Sequence, residues 1–108
     1  MAGKKFIKPV KKLVEAYLQL LEKKECLPVE AAYIFGSRVK GRAKKTSDID
    51  LCIISPRFTR SDLALRWLWR KKPLKFSKIE PVGYSAQGFN EFISPLVAEI
   101  KKNGVRVR

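Results

Sequence analysis

At 108 residues the chain has room for one domain with one modest core, residues 1–108, and none for a separate substrate-binding domain, so anything large that it acts on must be delivered from outside. Its 24 Lys and Arg against 10 Asp and Glu give a formal charge of +14, which favours anionic partners: nucleotides, nucleic acid or an acidic protein surface. Histidine is absent, which excludes the commonest general base, the His-containing triads and most zinc sites, and leaves any chemistry to carboxylates and a metal.

From about Lys8 to Glu25, Val10, Leu13, Val14, Tyr17, Leu18, Leu20 and Leu21 recur at spacings of three and four, the pattern of an amphipathic helix with Pro9 in its first turn and Pro28 beyond its end. Residues 29–35 read as a strand leading into Gly36-Ser37 and a short basic segment. A second strand is expected over Asp48–Ser55. There Ile49, Leu51 and Ile53 face one way and Cys52 and Ile54 the other, the signature of a central strand covered on both faces.

Pro56 breaks that strand, and Thr59 or Ser61 is placed to cap a helix running to about Lys72, which Pro73 stops. Lys75–Tyr84 reads as a third strand carrying Glu80, with Pro81 at an edge, an end or a bulge because it has no N–H to donate. Phe89–Asn103, with Phe92, Ile93, Leu96, Val97 and Ile100 at helical spacing, predicts the last helix, and Gly104 is placed to end it. Val105–Arg108 alternates as a short edge strand does. The class is therefore mixed α/β (α+β), a small mixed sheet of three to four strands flanked by helices. Cys26 and Cys52 form no CxxC motif, which suits a reduced, cytoplasmic setting, and no apolar run of 18 residues suggests a membrane span.

Chemistry concentrates in residues 35–51. Asp48 and Asp50, two apart at the start of a strand, point to one face, and paired hard-oxygen donors suit magnesium completed by substrate phosphates and water. Gly36 and Ser37, leaving an apolar strand, let backbone N–H groups and a hydroxyl approach a phosphate closely. Among the basic residues between the two motifs, Arg38 and Arg42 are the strongest phosphate candidates, because a planar guanidinium binds phosphate bidentately.

The string Phe35-Gly36-Ser37-Arg38-Val39-Lys40-Gly41, followed by Ser47-Asp48-Ile49-Asp50-Leu51, resembles the signature of the DNA polymerase β-like nucleotidyltransferase superfamily, and in particular its minimal nucleotidyltransferases, the MNT proteins. The resemblance implies the polymerase β-like fold. It also implies transfer of a nucleoside monophosphate from ATP or another NTP to an acceptor hydroxyl, with release of pyrophosphate. Asp48 and Asp50 would hold two magnesium ions, with Glu80 as the third carboxylate, catalytic and metal-binding alike. Gly36 and Ser37 would bind the triphosphate. Some MNT proteins are antitoxins that add AMP to a tyrosine of a HEPN toxin partner, so a HEPN-type partner is implied as well. Two other readings compete: an inactive antitoxin that neutralises its partner by binding alone, and an RNA-end-modifying or nucleic-acid-binding protein.

Trp67 and Trp69 lie two apart on a predicted helix, roughly 200° around its axis, so at least one indole should face outward beside Arg66 and Arg70 as an interface anchor. Tyr17 and Tyr33 are expected in the core, with Tyr84 close enough to Glu80 in sequence to approach a nucleotide.

Overall fold

The computed structural model describes residues 10–36 and 48–108. The helix α1 spans Lys11–Lys24 and buries Val14, Tyr17, Leu18 and Leu21 along one stripe. Each large apolar side chain so buried contributes roughly 1.5–3 kcal/mol. The helix stops where Cys26 turns into the left-handed region at φ 54°, and the N–H of Leu27 reaches back to Leu21 O over 3.0 Å. Pro9, the residue expected in its first turn, lies outside the described residues.

Four strands follow: β1 (Ala31–Phe35), β2 (Ile49–Ile54), β3 (Ile79–Tyr84) and β4 (Val105–Arg106). They form one mixed sheet in the order β3-β2-β1-β4. β1 pairs antiparallel with both β2 and β4, whereas β2 and β3 run parallel. Parallel neighbours need a crossover, supplied by helix α2 (Ser61–Lys71) and a 3-10 turn over Leu74–Phe76. Helix α3 (Pro95–Asn103) precedes β4.

β2 is central, and its alternation divides the core as its sequence predicts. Ile49, Leu51 and Ile53 join the larger cluster with α1, Phe58, Leu68 and Phe76, while Cys52 and Ile54 join a smaller one with Ala31, Phe35 and Ile100 of α3. The buried Cys52 thiol is pushed up to about 12 by desolvation, whereas Cys26 is exposed. Pro81 sits where a residue without an N–H is tolerated, on the edge strand β3.

Three elements differ from expectation. The last helix begins at Pro95 rather than Phe89, because a proline inside a helix lacks the N–H its turn needs and clashes with the carbonyl four residues back. Pro95 instead takes the first helical position and Ser94 caps it, its Oγ accepting from Val97 N at 3.3 Å. Phe92 and Ile93, expected on the core face of that helix, are therefore in turns at 91% and 77% exposure. The third strand starts at Ile79 rather than Lys75, since Pro73 leads into the 3-10 turn that buries Phe76 against Tyr17, ring centroids 5.2 Å apart. Neither Thr59 nor Ser61 caps α2: Arg60 occupies that position without a side-chain cap, and its guanidinium forks onto Asp62 at 2.8 and 3.2 Å.

Tyr17 is fully buried with no hydrogen-bond partner for its hydroxyl among the described residues, and desolvation pushes the phenol far above its ordinary range. A buried unpaired hydroxyl costs free energy that a phenyl ring does not. Tyr17→Phe is accordingly expected to raise unfolding free energy by about 1 kcal/mol. Urea denaturation of both proteins checks this, and a loss of stability would reveal a partner for the hydroxyl.

Candidate active site

Asp50 and Glu80 are Cα partners in the parallel register of β2 and β3, and Phe35 is the partner of Asp50 across the antiparallel pair. Directly paired residues project to the same face of a sheet. Both acids therefore share the face of Cys52 and Val82, which α3 covers, and stand at the entry ends of their strands. Asp48, two residues before Asp50, is exposed just ahead of β2.

The three carboxylates interact. Glu80 is hydrogen-bonded to both Asp48 and Asp50, and its pKa is raised by desolvation, by donating those bonds and by the adjoining negative charges. Asp50 is raised by desolvation and by the Asp48 charge, partly offset because it accepts from Glu80. Glu80 thus keeps a proton more readily than a free glutamate does. This is the arrangement expected when like charges share a site, since retaining a proton among them costs less than ionising all of them in low dielectric. Among the described residues no group of three or more His, Cys, Asp or Glu is drawn together tightly enough to hold a metal ion unaided.

Gly36 closes the site from β1. Its φ of 79° is left-handed, and a Cβ placed there would fall 2.2 Å from Asp50 Oδ2. Only a residue without a side chain lets the end of β1 turn this close to the carboxylate. Ser37, Arg38 and Arg42 lie outside the described residues.

Lys72 is a site neighbour that the sequence pattern does not reveal. Pro73 disfavours helical geometry at the residue before it, so Lys72 leaves α2 in an extended conformation, φ −75° and ψ 116°. Its Nζ donates to Ile79 O at 2.8 Å and Ser77 O at 3.3 Å and lies 3.8 Å from the centroid of the Trp69 ring. Burial lowers its pKa, while attraction to Glu80 and Asp48 pulls the other way. The outward indole expected on α2 is Trp69, 45% exposed yet anchored by its Nε1–H to Pro81 O at 3.2 Å. Trp67 is half-buried against Phe58, ring centroids 6.0 Å apart. Tyr33 and Tyr84 are half-buried around Phe89, at 5.5 and 6.0 Å between centroids.

The repulsion within the trio has a sign that stability can report. A carboxyl whose folded pKa is raised destabilises the native state once ionised, a penalty present at neutral pH and lost as pH falls through the carboxylate range. Glu80→Gln removes one charge at constant size. It is expected to raise Tm by roughly 2–5 °C at pH 7, with the gain vanishing near pH 3.5. A lower Tm at pH 7 would show that Glu80 is held by attraction instead.

Residues 10–105 match the nucleotidyltransferase domain family. The fold is similar to the crystal structure of a proposed nucleotidyltransferase from Sulfolobus solfataricus, with a TM-score of 0.64 and 18% sequence identity over 98% of this chain and 86% of that one. No curated protein gives a significant match.

Proposed function

Because the chain belongs to the nucleotidyltransferase domain family, we propose that it transfers a nucleoside monophosphate, AMP from ATP, to an acceptor hydroxyl with magnesium as cofactor. The observation that carries the reading is the opposition of Asp50 and Glu80 across β2 and β3, with Asp48 joined to them by a hydrogen bond and Gly36 packed on Asp50. An all-oxygen donor set in which two neighbouring carboxylates raise the proton affinity of Glu80 fits a hard divalent cation, which would relieve that repulsion. Magnesium commonly takes one or two carboxylates and completes its shell with substrate phosphates and water, so three protein ligands already in place are not required.

Asp48, Asp50 and Glu80 are the residues that would hold two such ions. When bound, these ions neutralise charge on the phosphate oxygens and lower the proton affinity of the acceptor hydroxyl. Glu80, whose proton affinity is raised by its neighbours, is the carboxylate assigned to receive the acceptor proton as the hydroxyl attacks the α-phosphate and pyrophosphate leaves. Gly36 lets the end of β1 approach closely enough to present its backbone to the triphosphate, with Ser37, Arg38 and Arg42 assigned to the same ligand. The acceptor is assigned to a tyrosine of a HEPN-type toxin partner in the cytoplasm, which makes the protein an antitoxin. That assignment rests on the resemblance of Phe35–Gly41 and Ser47–Leu51 to MNT proteins.

Incubation with α-labelled ATP, magnesium and a HEPN-type protein should place label on the partner, and chelation of the metal should abolish it. Asp48→Asn combined with Asp50→Asn should reduce transfer at least about 1,000-fold while the fold survives by circular dichroism. Full transfer in that double variant would refute the metal assignment. Glu80→Gln should lower kcat by roughly 100-fold or more with the nucleotide KM nearly unchanged, whereas wild-type turnover moves the proton-accepting role elsewhere. Gly36→Ala tests the close approach separately: the methyl must displace the Asp50 carboxylate, so activity should fall about as far as in Asp50→Asn.

A further inference from the structure

Half of the chain's eight arginines, and none of the described lysines, line one groove of about 490 Å³ beside α2. Arg57 and Arg60 enter it from the segment after β2, and Arg66 and Arg70, four apart, from one face of α2. The groove thus begins beyond the end of β2 opposite Asp48 and Asp50. Arg57 is braced by donating to Glu25 O at 3.4 Å, and Arg60 by its fork on Asp62. Arg66 and Arg70 are exposed and form no ion pair with another described residue. Two guanidinium groups thus stand without an anion.

Between the arginines the floor is apolar. Leu27, Phe58 and Ala64 are 2%, 5% and 3% exposed, and Leu63, at 48%, forms part of the lip beside the half-buried Trp67. Arginine exceeds lysine at sites that need planar, bidentate recognition of an oxyanion, and Trp and Arg around an apolar centre are the residues enriched in protein interfaces. We propose that this groove docks an acidic segment of a partner protein, an apolar side chain of the segment filling the floor and its Asp and Glu carboxylates bridging to Arg66 and Arg70.

Charge complementarity selects that occupant. A second copy of this chain, at +14, brings the wrong sign. Single-stranded nucleic acid has the right sign but binds by stacking bases on open aromatic faces. Here Phe58 is buried and tilted 59° against Trp67, and the remainder of the floor is aliphatic, a socket for a side chain rather than a stacking platform. The proposal concerns binding alone and stands apart from the transfer chemistry.

The test uses fluorescence anisotropy of the full chain without nucleotide or metal. The probes are a fluorescein-labelled peptide of Glu and Asp flanking one Leu and one Phe, the same peptide with Ser at both apolar positions, and a labelled oligouridylate of equal charge. The apolar peptide should bind at least about 10-fold more tightly than the Ser peptide. Arg66→Glu combined with Arg70→Glu should weaken it by about 10-fold or more, and Leu63→Asp, at an exposed position that folding does not depend on, should do likewise with Tm nearly unchanged. Equal affinity for the two peptides, binding undiminished in both variants, or tighter binding of the oligouridylate that the arginine variant abolishes would each overturn the proposal, the last by assigning the groove to nucleic acid.

Discussion

Two carboxylates face each other across a parallel strand pair, and most of the molecule serves to keep them there. Asp50 and Glu80 repel once ionised, so the register between β2 and β3 must be held by something stronger than either side chain. That hold comes from the opposite face, where Ile49, Leu51, Ile53 and Ile79 are fully buried against α1 and α2. A slip of one residue would turn this apolar set to the thin face and the acids into the core, which makes the alternative register prohibitively unfavourable. The parallel direction itself depends on α2, which is seated closely enough on β3 that a Cβ at Gly83 would fall 3.0 Å from the Ala64 Cβ. The same helix therefore fixes the acids, carries Trp69, delivers Lys72 to their vicinity and supplies two of the groove arginines.

The distribution of the ten acids separates support from candidate chemistry. Glu22, Glu25, Asp62 and Glu91 each pair with a cation, respectively Arg108, Lys71, Arg60 and Lys101. Asp48, Asp50 and Glu80 interact with one another and form no ion pair with a described cation. Among the described cations Lys72 attracts them, and its ammonium is already committed to two backbone carbonyls. Among the described residues, a strongly basic protein thus gathers three acids at one place. Its long-range field draws polyanions inward, while the short-range donors at the site favour a cation beside them.

Much of this could be read from the chain because local patterns carried it. The alternation in Ile49–Ile54 announced a strand buried on both faces, the pair Asp48 and Asp50 announced a shared face, and Pro81 confined its position to an edge, an end or a bulge. What could not be read was decided by competition between patterns. The spacing of Phe92, Ile93 and Leu96 is helical, yet Ser94-Pro95 is a stronger start signal than that spacing is a continuation, and the apolar residues ahead of it were left in turns. The opposition of Asp50 to Glu80 depends on a register 30 residues apart in sequence that no local pattern encodes, and only the family resemblance made Glu80 the candidate for the third carboxylate. Lys72 left no signal at all, since its position follows from a chain reversal at Pro73 and carbonyls supplied by β3. The pattern required at least one of Trp67 and Trp69 to face outward without choosing between them; that the outward one is Trp69, its indole N–H spent on Pro81, emerges from tertiary packing alone.

That last contact, together with Lys72, bears on how the sheet meets the outside. The carbonyls of Lys78 and Tyr84 bond to β2, so the odd-numbered residues between them turn their polar groups away from it. On that outer side Ile79 O is occupied by Lys72, Pro81 O by Trp69, and Pro81 has no N–H to offer. The free margin of β3 is therefore stoppered along its first half by side chains of its own crossover, while the opposite margin, β4, is only two residues long. An incoming extended chain finds no continuous ladder to join on either side, which guards the sheet against edge-to-edge self-association and steers binding toward contacts made through side chains.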